Sequence, residues 1–327
     1  MRRAMSVINR PAAPVGIETD EVTVVVATRN RPDRLRQTVP HHHAPTIIVD
    51  NASDQPLPGA TLARDAFDGP LPGVAVARDA FDGPVPGVAV ARDAFDRPVP
   101  GVAVVRLAEN IGAAARNVGV RQASTPYVAF ADDDSYWEPG SLARAVEIFR
   151  NHPRAALLTA KVLVGPEGRL DPVSACMAAA PIGTPPGAAG PSVLGFLSCA
   201  VVVRRDAFLA AGGFQPKLFV YGEEALLAMD LAAAGHQLSY VPELVVRHFP
   251  EPAGRDNRAR SRREARNRAL TALLRRPPTV IARTLAEVAR TQPAALTDLA
   301  RDLPWALRHR RPLPAPLEAA LGILSRG

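Results

Sequence analysis

Apolar and polar positions alternate along this chain in a pattern typical of strands followed by helices. Val22 to Thr28 and Thr46 to Asp50 are short β-branched runs that end abruptly in polar residues, as buried parallel strands do. Further strands are predicted at 102–107 and 127–131, and helices at 33–39, 113–123 and 141–150. This alternation predicts an α/β fold built on a doubly wound, mostly parallel sheet of the Rossmann-like kind.

The second half of the chain is less regular and ends in helices. Strands are predicted at 156–164 and 198–204 on either side of a Gly/Pro/Ala-rich loop at 178–191, followed by a helix at 223–234 and a short strand pair at 238–240 and 245–248. From Ser261 onward, apolar residues recur at helical spacing and are interrupted by Pro293, Pro304 and Pro312. This tail predicts a C-terminal helical appendage packed on the main domain.

A tandem repeat interrupts the pattern between the second and third strands. PLPGATLARDAFDG, PLPGVAVARDAFDG and PVPGVAVARDAFDR follow one another from Pro56 with a period of 14 residues, and a partial fourth copy begins at Pro98. Excising three copies would join Gln55 to Pro98, so residues 56–97 are interpreted as an insertion. The density of Pro, Gly and Asp favours a mobile surface loop, and the alternative is that the apolar triplets add small hairpins to a sheet edge.

Length and composition fit this organisation. With 327 residues and 47% hydrophobic content, the chain can bury a full core. The predicted units are a disordered N-terminus at 1–20, a main domain at 21–252 and a helical region at 253–327. Cys176 and Cys199 form no CxxC pair or disulfide framework, and no stretch approaches the roughly 18 apolar residues that span a bilayer. We therefore expect a cytoplasmic protein, soluble or peripheral at the inner face of the membrane.

Positive charge is concentrated at the start of the helical region. The net charge is +7, and residues 254–276 hold nine arginines against Asp256 and Glu264. Such a segment attracts phospholipid head groups, nucleic acid or a diphosphate-bearing substrate, unless it is simply a solvated helix face. The arginines are not interleaved with aromatic residues and no nucleic-acid-binding motif is present, so nucleic acid is not an expected partner.

Three adjacent carboxylates, Asp132, Asp133 and Asp134, follow the apolar run at 127–131. Adjacent negative charges repel one another and are tolerated best around a cation. Since ligands bind at the carboxyl ends of strands in open α/β sheets, the triplet predicts a divalent metal site there. The alternative is an acidic turn that caps the helix following Pro139 and Gly140.

Other polar groups fall at the ends of the predicted strands, where one crevice would collect them. They are Thr28, Arg29, Asn30, Asp50, Asn51 and Asn110. Together with the triplet they suit a nucleotide, because Asp50 would accept hydrogen bonds from a base or ribose, Arg116 would meet the base or a phosphate, and Asp132 would reach a ribose hydroxyl. The alternatives are that Asp50 caps a turn and that Arg116 is a solvated helix residue.

Seven sequence segments stand in a characteristic order along the chain. They are ATRNRP from Ala27, IIVDNAS from Ile47, ENIGAAARNVG from Glu109, FADDDSYWEPGSL from Phe130, RRDAFLAAGGF from Arg204, YGEEALLAMDLAAAG from Tyr221 and VVRHF from Val245. In this order they resemble the motifs of family 2 glycosyltransferases of GT-A fold, from about Glu21 to Arg276 outside the insertion. The resemblance implies a GT-A type sheet whose first half binds a nucleotide-diphosphate sugar and whose second half shapes the acceptor site.

The resemblance also implies roles for the matching residues. Asp134 and His248 would hold Mn²⁺ or Mg²⁺, and that cation would neutralise the nucleoside diphosphate that departs as the glycosidic bond breaks. The nucleotide would be bound by Thr28, Arg29, Asp50, Asn110, Arg116, Asp132 and Asp133.

A general base is implied at the start of the helix at 223–234. Family 2 enzymes invert the anomeric centre in a single displacement, so a carboxylate must take the proton of the acceptor hydroxyl. The family usually places Glu-Asp after a loop glycine, and this chain has Gly222, Glu223 and Glu224. Glu224 matches the base position, and Glu223 is the residue that would share the role, because Glu in place of Asp adds a methylene. The alternative is that the pair only stabilises a helix N-terminus.

The resemblance thus predicts a metal-dependent inverting enzyme that moves one sugar to an acceptor hydroxyl of a glycan or of a lipid-linked, cell-envelope acceptor. The arginine-rich segment 254–276 would hold it against an anionic leaflet. Because the chain has no QxxRW motif and no membrane-spanning stretch, a processive polysaccharide synthase is not expected. The rivals are a sugar-phosphate nucleotidyltransferase, although ATRNRP is not a Gly-rich phosphate loop, and a catalytically silent membrane-surface binding protein of the same fold.

Overall fold

The computed structural model describes residues 18–57, 61–62, 89–92, 98–251 and 257–325. Most of the repeat insertion and of the N-terminal segment 1–20 therefore lie outside the described residues. The described chain forms a mixed α/β sheet covered by helices, and a group of further helices follows it.

One sheet contains the strands of the described residues. In chain order they are β1 (Val22–Thr28), β2 (Thr46–Asp50), β3 (Thr61–Leu62), β4 (Ala89–Arg92), β5 (Pro98–Arg106), β6 (Tyr127–Asp132), β7 (Ser135–Trp137), β8 (Ala155–Val164), β9 (Arg169–Leu170), β10 (Val201–Arg204) and β11 (Gln237–His248). Their order across the sheet is β3-β5-β2-β1-β6-β10-β8-β11-β7, with β4 paired to β5 and β9 to β8.

The two halves of the sheet differ in strand direction. Strands β3, β5, β2, β1 and β6 are parallel neighbours. Strand β10 runs antiparallel to both β6 and β8, and β11 runs parallel to β8. The predicted α/β fold with a parallel first half is confirmed, and the second half is mixed.

Helices cover both faces of the sheet. They are α1 (Pro32–Thr38), α2 (Ala115–Gln122), α3 (Ser141–Asn151), α4 (Pro172–Ala178), α5 (Arg205–Ala210), α6 (Glu223–Ala233), α7 (Asn257–Arg275), α8 (Pro278–Thr291), α9 (Ala294–Arg308) and α10 (Ala315–Leu324). Side chains alternate along buried strands, so Val24 of β1 shares a core with Phe149 of α3, whereas Val25 shares a second core with Val118 of α2. The two apolar cores, one on each face of the sheet, thus hold the strands in place, and the carboxyl ends of the parallel strands lie along one edge of the sheet.

Two short strands from the repeat insertion join the edge of the sheet. Strand β4 pairs antiparallel with β5 through Ala89 opposite Val104 and Val90 opposite Ala103, and β3 pairs parallel with the end of β5. These strands match the alternative in which the repeat adds to a sheet edge, while most of the segment predicted as a loop lies outside the described residues. Strand β5 begins at Pro98 and not at Val102, because the partial repeat copy extends it.

The strand pair predicted at 238–240 and 245–248 is a single strand. Strand β11 runs through both segments with a register shift between Val241 and Val245. Pro242 lies in this gap, and a proline cannot donate to the ladder, so the chain bulges there and does not turn back. Strand β7, which the pattern did not predict, pairs antiparallel with β11 and places Ser135 opposite His248.

The C-terminal helices form the predicted appendage and have a core of their own. Leu270 of α7, Val288 of α8 and Leu299 of α9 pack in one cluster, which also takes in Leu218 and Leu226 of the main domain. Among the described residues, none of the helices is both long and apolar enough to cross a membrane.

The arginine-rich segment 254–276 binds carboxylates of the same protein. Of its nine arginines, six form ion pairs within the described residues. The pairs are Arg260 with Glu264, Arg262 with Asp298, Arg266 with Asp302, Arg268 with Glu287, Arg275 with Asp230 and Arg276 with Glu318. Much of the positive charge is therefore compensated within the protein, while the side chains of Arg260, Arg262 and Arg268 remain 40%, 44% and 51% exposed.

Candidate active site

The aspartate triplet lies where β6 ends and turns into β7. Asp132 is the last residue of β6, and its N–H donates to Ser135 Oγ over 2.8 Å. Asp133 and Asp134 are almost buried, with 4% and 6% of their surface exposed. The triplet thus occupies the carboxyl end of a parallel strand, which is the edge where such sheets bind ligands.

His248 reaches the triplet because β11 pairs with β7. The N–H of Phe249 donates to the carbonyl oxygen of Asp134 over 2.8 Å, and His248 Nε2 lies 3.3 Å from Asp134 Oδ1. Burial is the largest single effect and disfavours both charges, but the hydrogen bond between the two side chains and the surrounding charges together exceed it, so the pKa of Asp134 is lowered and the pKa of His248 is raised. The free protein therefore favours an imidazolium–carboxylate pair here.

Asp133 is bound by two residues from the end of β1. Thr28 Oγ1 donates to Asp133 Oδ2 over 2.7 Å, and Arg31 Nη1 donates to Asp133 Oδ1 over 2.5 Å. Arg31 Nη2 also donates to Asp134 Oδ2 over 3.0 Å, so one guanidinium bridges two carboxylates. Burial raises the pKa of Asp133 to about 6, although the Thr28 hydrogen bond and the Arg31 charge both act to lower it.

Arg116 connects the triplet to the two glutamates at the start of α6. It lies on α2 and forms an ion pair with Asp132. Burial would lower the pKa of Arg116, yet the negative charges of Asp132, Glu223 and Glu224 raise it. The guanidinium therefore stays charged between carboxylates that come from two different elements.

Glu223 and Glu224 have different surroundings. Glu223 is 3% exposed, and its Oε2 has no hydrogen-bond partner within the described part of the chain. Burial, together with the charge of Glu224, raises the pKa of Glu223 to about 8. Glu224 Oε1 accepts a hydrogen bond from Ser198 Oγ over 2.7 Å. At neutral pH Glu223 is therefore protonated in the free protein, and Glu224 is the member of the pair held as a hydrogen-bond acceptor.

The donor set beside the triplet fits a divalent cation. One ligand atom each from Asp132, Cys199 and His248 lie within 4.8 Å of one another, and His248 also contacts Asp134. Carboxylates suit Mg²⁺ and Mn²⁺, whereas imidazole and thiolate are softer ligands. Burial raises the pKa of the Cys199 thiol well above its ordinary value, so the thiol lines the site as an uncharged group. The carboxylate and imidazole atoms of this set are ligands that a divalent cation such as Mn²⁺ or Mg²⁺ would accept.

Asp50 lies at the end of β2 with its carboxylate engaged by the protein. It is completely buried; Oδ1 accepts from the N–H of Ser53 over 2.9 Å, and Oδ2 accepts from Arg106 Nη1 over 2.9 Å. Arg106 is the register partner of Asp50 on β5. These contacts shape the loop after β2, as the turn-capping alternative requires.

Two other predicted nucleotide-binding residues, Arg29 and Asn110, lie in neighbouring loops. Arg29 donates from Nε to the carbonyl oxygen of Ala52 over 3.1 Å. Asn110 Oδ1 accepts from Asn51 Nδ2 over 2.9 Å. Both side chains therefore border the loop that follows β2.

The predicted site residues outside the triplet thus fall into three groups. Thr28, Arg116 and His248 contact the aspartate triplet, Arg29, Asp50 and Asn110 lie around the loop after β2, and Glu223 and Glu224 begin α6. Sequence reasoning missed Arg31 and Arg106. The signal for Arg31 was its place in the ATRNRP segment, one residue after Asn30. Nothing in the sequence marked Arg106, because the insertion hides which residue stands opposite Asp50.

Two solved structures share the fold of this chain. GalNAc-T7, in a structure with UDP, GalNAc and Mn²⁺, superposes with a TM-score of 0.55 at 13% identity and covers 93% of this chain and 57% of its own. TarS 1-349 of S. aureus gives a TM-score of 0.52 at 15% identity over 88% of this chain and 81% of its own. Likeness at this identity shows the fold, which is the GT-A fold of glycosyltransferases.

Part of the chain matches a family model directly. Residues 85–208 match the model of Glycosyl transferase family 2, which confirms the predicted resemblance. The match starts within the third repeat copy and includes Asn110, Arg116 and the triplet, while Thr28, Asp50, the glutamate pair and His248 lie outside it.

Curated relatives are similar over part of the chain. The N-acetylglucosaminyl-diphospho-decaprenol L-rhamnosyltransferase of Mycobacterium tuberculosis is 29% identical over 152 residues, which is 40% of this chain and 49% of that protein. The chain thus spans about half the length of the curated relatives it matches.

Proposed function

We propose that this protein is a cation-dependent, inverting glycosyltransferase that moves a single sugar from a nucleoside-diphosphate sugar to an acceptor hydroxyl. The observation that supports this best is the convergence of the triplet, His248, Arg116 and the pair Glu223 and Glu224 at one edge of a GT-A sheet. Carboxylates for a cation and carboxylates for proton transfer are the two parts that the reaction needs.

Glu224 is the proposed general base. A base must be ionised before the acceptor arrives, and Glu223, whose pKa is raised to about 8, is protonated at neutral pH. Glu224 Oε1 accepts a hydrogen bond from Ser198 Oγ, and this bond orients the carboxylate. In the proposed step the acceptor oxygen bonds to the anomeric carbon, its proton goes to Glu224, and the bond from that carbon to the diphosphate oxygen breaks.

Asp134 and His248 would hold the cation, with Asp132 beside them. When bound, a divalent cation supplies charge neutralisation to the leaving diphosphate. The residues Thr28, Arg29, Asp50, Asn110, Arg116, Asp132 and Asp133 are proposed to bind the nucleotide. Thr28 supports this by fixing Asp133, while Asp50 supports it by shaping the loop after β2.

The proposed acceptor is lipid-linked, because the mycobacterial relative is named for a diphospho-decaprenol acceptor. Contact with an anionic leaflet through residues 254–276 would bring such an acceptor within reach. Because six of the nine arginines in this segment are ion-paired, we expect that contact to be weak and salt-sensitive. Sedimentation with vesicles that contain or lack anionic lipid measures it, and equal binding to both would remove the proposal.

The decisive experiment is metal-dependent release of nucleoside diphosphate from a panel of UDP-, GDP- and dTDP-sugars. Glu224→Gln should lower kcat by about 10²- to 10⁴-fold while donor binding persists, because only proton transfer is lost. Asp134→Ala should weaken both metal binding and turnover. Glu264→Gln is the matched control, since Glu264 pairs with Arg260 on α7, outside the triplet site.

The outcomes separate the proposal from its rivals. Turnover that survives both active-site changes would refute the assigned roles. A protein that binds no nucleotide sugar would be the silent binding protein, and one that makes a nucleotide sugar from a sugar phosphate and a nucleoside triphosphate would be the nucleotidyltransferase.

A further inference from the structure

Arg31 occupies the space between the two most buried aspartates of the triplet. Its Nη1 lies 2.5 Å from Asp133 Oδ1 and its Nη2 lies 3.0 Å from Asp134 Oδ2. The aspartate side chains are 6% and 7% exposed, whereas the Arg31 side chain is 33% exposed. The guanidinium thus neutralises the aspartates on one side and faces solvent on the other.

The solvent side of Arg31 opens into a polar cleft of about 440 Å³. The cleft is lined by Asn30, Arg31, Arg34, Gln37 and Glu251, among others. Glu251 lies 3.6 Å from Arg31 Nη2 and also forms an ion pair with Arg34. Two guanidinium groups beside a pair of buried carboxylates are suited to a diphosphate, because guanidinium binds phosphate oxygens with two parallel hydrogen bonds.

Arg31 and a divalent cation would compete for the same carboxylate. Asp134 Oδ1 faces His248, and Asp134 Oδ2 is bound by Arg31. A cation held by Asp134 brings a second positive charge next to the guanidinium, so the two repel each other. Arg31 directly precedes α1, and its solvent-facing side borders the cleft. A guanidinium released from Asp134 can therefore move into the cleft.

We propose that Arg31 is the built-in counter-cation of Asp133 and Asp134, and that it moves from these carboxylates to the donor diphosphate when a divalent cation binds. This rests on the proposed function, because it assigns the diphosphate to the cleft beside the triplet. Its distinctive consequence is that Arg31 opposes metal binding and favours diphosphate binding. A residue that only supports the fold would favour both.

The test measures the two affinities separately. Mn²⁺ binding without nucleotide is followed by the electron paramagnetic resonance of free Mn²⁺, and binding of UDP, GDP and dTDP is followed by calorimetry at saturating Mn²⁺. Arg31→Gln should bind Mn²⁺ about tenfold more tightly, because a competing charge is gone, and should bind the preferred nucleoside diphosphate about tenfold more weakly. The affinity of this variant for the corresponding nucleoside monophosphate should fall by a smaller factor.

Two further variants serve as controls. Arg31→Lys keeps the positive charge but loses the paired N–H donors of the guanidinium. Its Mn²⁺ affinity should therefore stay within about threefold of wild type, while its diphosphate affinity falls. Arg34→Gln removes a guanidinium of the same cleft whose ion pair is with Glu251, so Mn²⁺ affinity should be unchanged. Thermal unfolding with and without Mn²⁺ should show a larger Mn²⁺ stabilisation for Arg31→Gln than for wild type.

The outcomes are separable from those of the proposed function. Wild-type protein that binds neither Mn²⁺ nor any of the three nucleoside diphosphates would refute the proposed function. Wild-type protein that binds both, with Arg31→Gln weakening both or changing neither, would refute only the role of Arg31. If Arg31→Gln does not fold, Arg31→Lys still decides, because unchanged diphosphate affinity in that variant overturns the inference.

Discussion

At the scale of single residues, the two glutamates of α6 show how burial separates neighbouring carboxylates. The folded pKa of Glu223, about 8, lies above its ordinary value of 4.5. The folded state therefore binds this proton more tightly than the unfolded state does. The resulting stability is fully present below about pH 4.5 and is lost as the pH rises through about 8.

Glu223→Gln should reduce this pH dependence. Near pH 5 the variant and wild type should be similar in stability, because a protonated Glu and a Gln are alike in shape. At about pH 9 the variant should be more stable by on the order of 1–3 kcal/mol, because wild type must bury an unpartnered charge. Urea unfolding across this range measures the difference, and a variant whose curve runs parallel to wild type throughout would contradict the assignment.

Residues of the site differ in how far the sequence could predict them. Asp134 and His248 stand in segments whose order along the chain resembles a family, so their pairing could be anticipated although 114 residues separate them. Arg31 stands in one of these segments too, but its hydrogen-bond partner is 102 positions away, so the segment alone did not show which residue it contacts. The contact of Asp50 with Arg106 could not be predicted, because Arg106 follows the repeat.

At the scale of elements, α2 lies so close to β1 that glycine is required at their contact. A Cβ atom on Gly119 would lie 2.4 Å from Val25 Cγ1. Arg116 stands three residues earlier on the same helix and contacts Asp132 at the end of the neighbouring β6. The close packing of helix on strand therefore sets the position of this guanidinium.

Gly119→Ala should destabilise the protein by about 1–3 kcal/mol, because overpacking outweighs the gain in helix propensity. Gly322→Ala on α10 is the matched control, since, apart from its chain neighbours and the backbone of its own helix, no described heavy atom lies within 4 Å of the Cβ it would add. That change should be neutral or stabilise by up to about 1 kcal/mol. Urea unfolding of both variants tests the comparison, and equal stabilities would show that α2 can move away from β1 without cost.

Elements were predictable where their pattern is local and were missed where it depends on a partner. The parallel strands β1, β2 and β6 follow from apolar runs, and their predicted ranges agree with the structure to within a residue. Strand β7 has three residues and exists because β11 lies beside it. The arginines of α7 appeared to form an anion-binding patch, since their carboxylate partners come mainly from other helices.

At the scale of the whole molecule, the appendage supports the loop that leads into Glu223 and Glu224. Asn267 of α7 is 1% exposed, and its Nδ2, which carries two hydrogens, lies within hydrogen-bond distance of the carbonyl oxygens of Leu218, Val220 and Tyr221, at 2.8, 2.9 and 2.7 Å. The backbone of this loop is left-handed at several positions, with φ of +61° at Phe219, +75° at Tyr221 and +93° at Gly222. Such a conformation persists only where its surroundings hold it.

Asn267→Ala should therefore affect stability and turnover together. The loop carbonyl oxygens around Asn267 Nδ2 would lose their donor, which should cost about 2–3 kcal/mol, and the loosened loop should lower kcat about tenfold or more. Arg268→Gln is the control, because the exposed pair of Arg268 with Glu287 should contribute less than about 1 kcal/mol. Unfolding and steady-state kinetics measure both effects; unchanged kcat in Asn267→Ala would show that the appendage is not coupled to the site.

The sheet and the helical appendage could be predicted from the sequence, but the contacts between them could not. Alternating strands and helices predicted the sheet, and proline-broken helical periodicity predicted the appendage. Their mutual contacts depend on side chains such as Arg275, which meets Asp230 of α6, and no periodicity encodes such pairs. The repeat insertion also separated β2 from β5 in sequence while leaving them neighbours in the sheet.

The strand β5 is itself the head of a repeat copy, since PVPGVAV opens both the third copy and this strand. Replication slippage that adds or removes whole 14-residue copies would therefore always leave one complete PVPGVAV segment to pair with β2. Alleles of different length would then share the same edge of the sheet, and the gene can vary here without changing the proposed site residues.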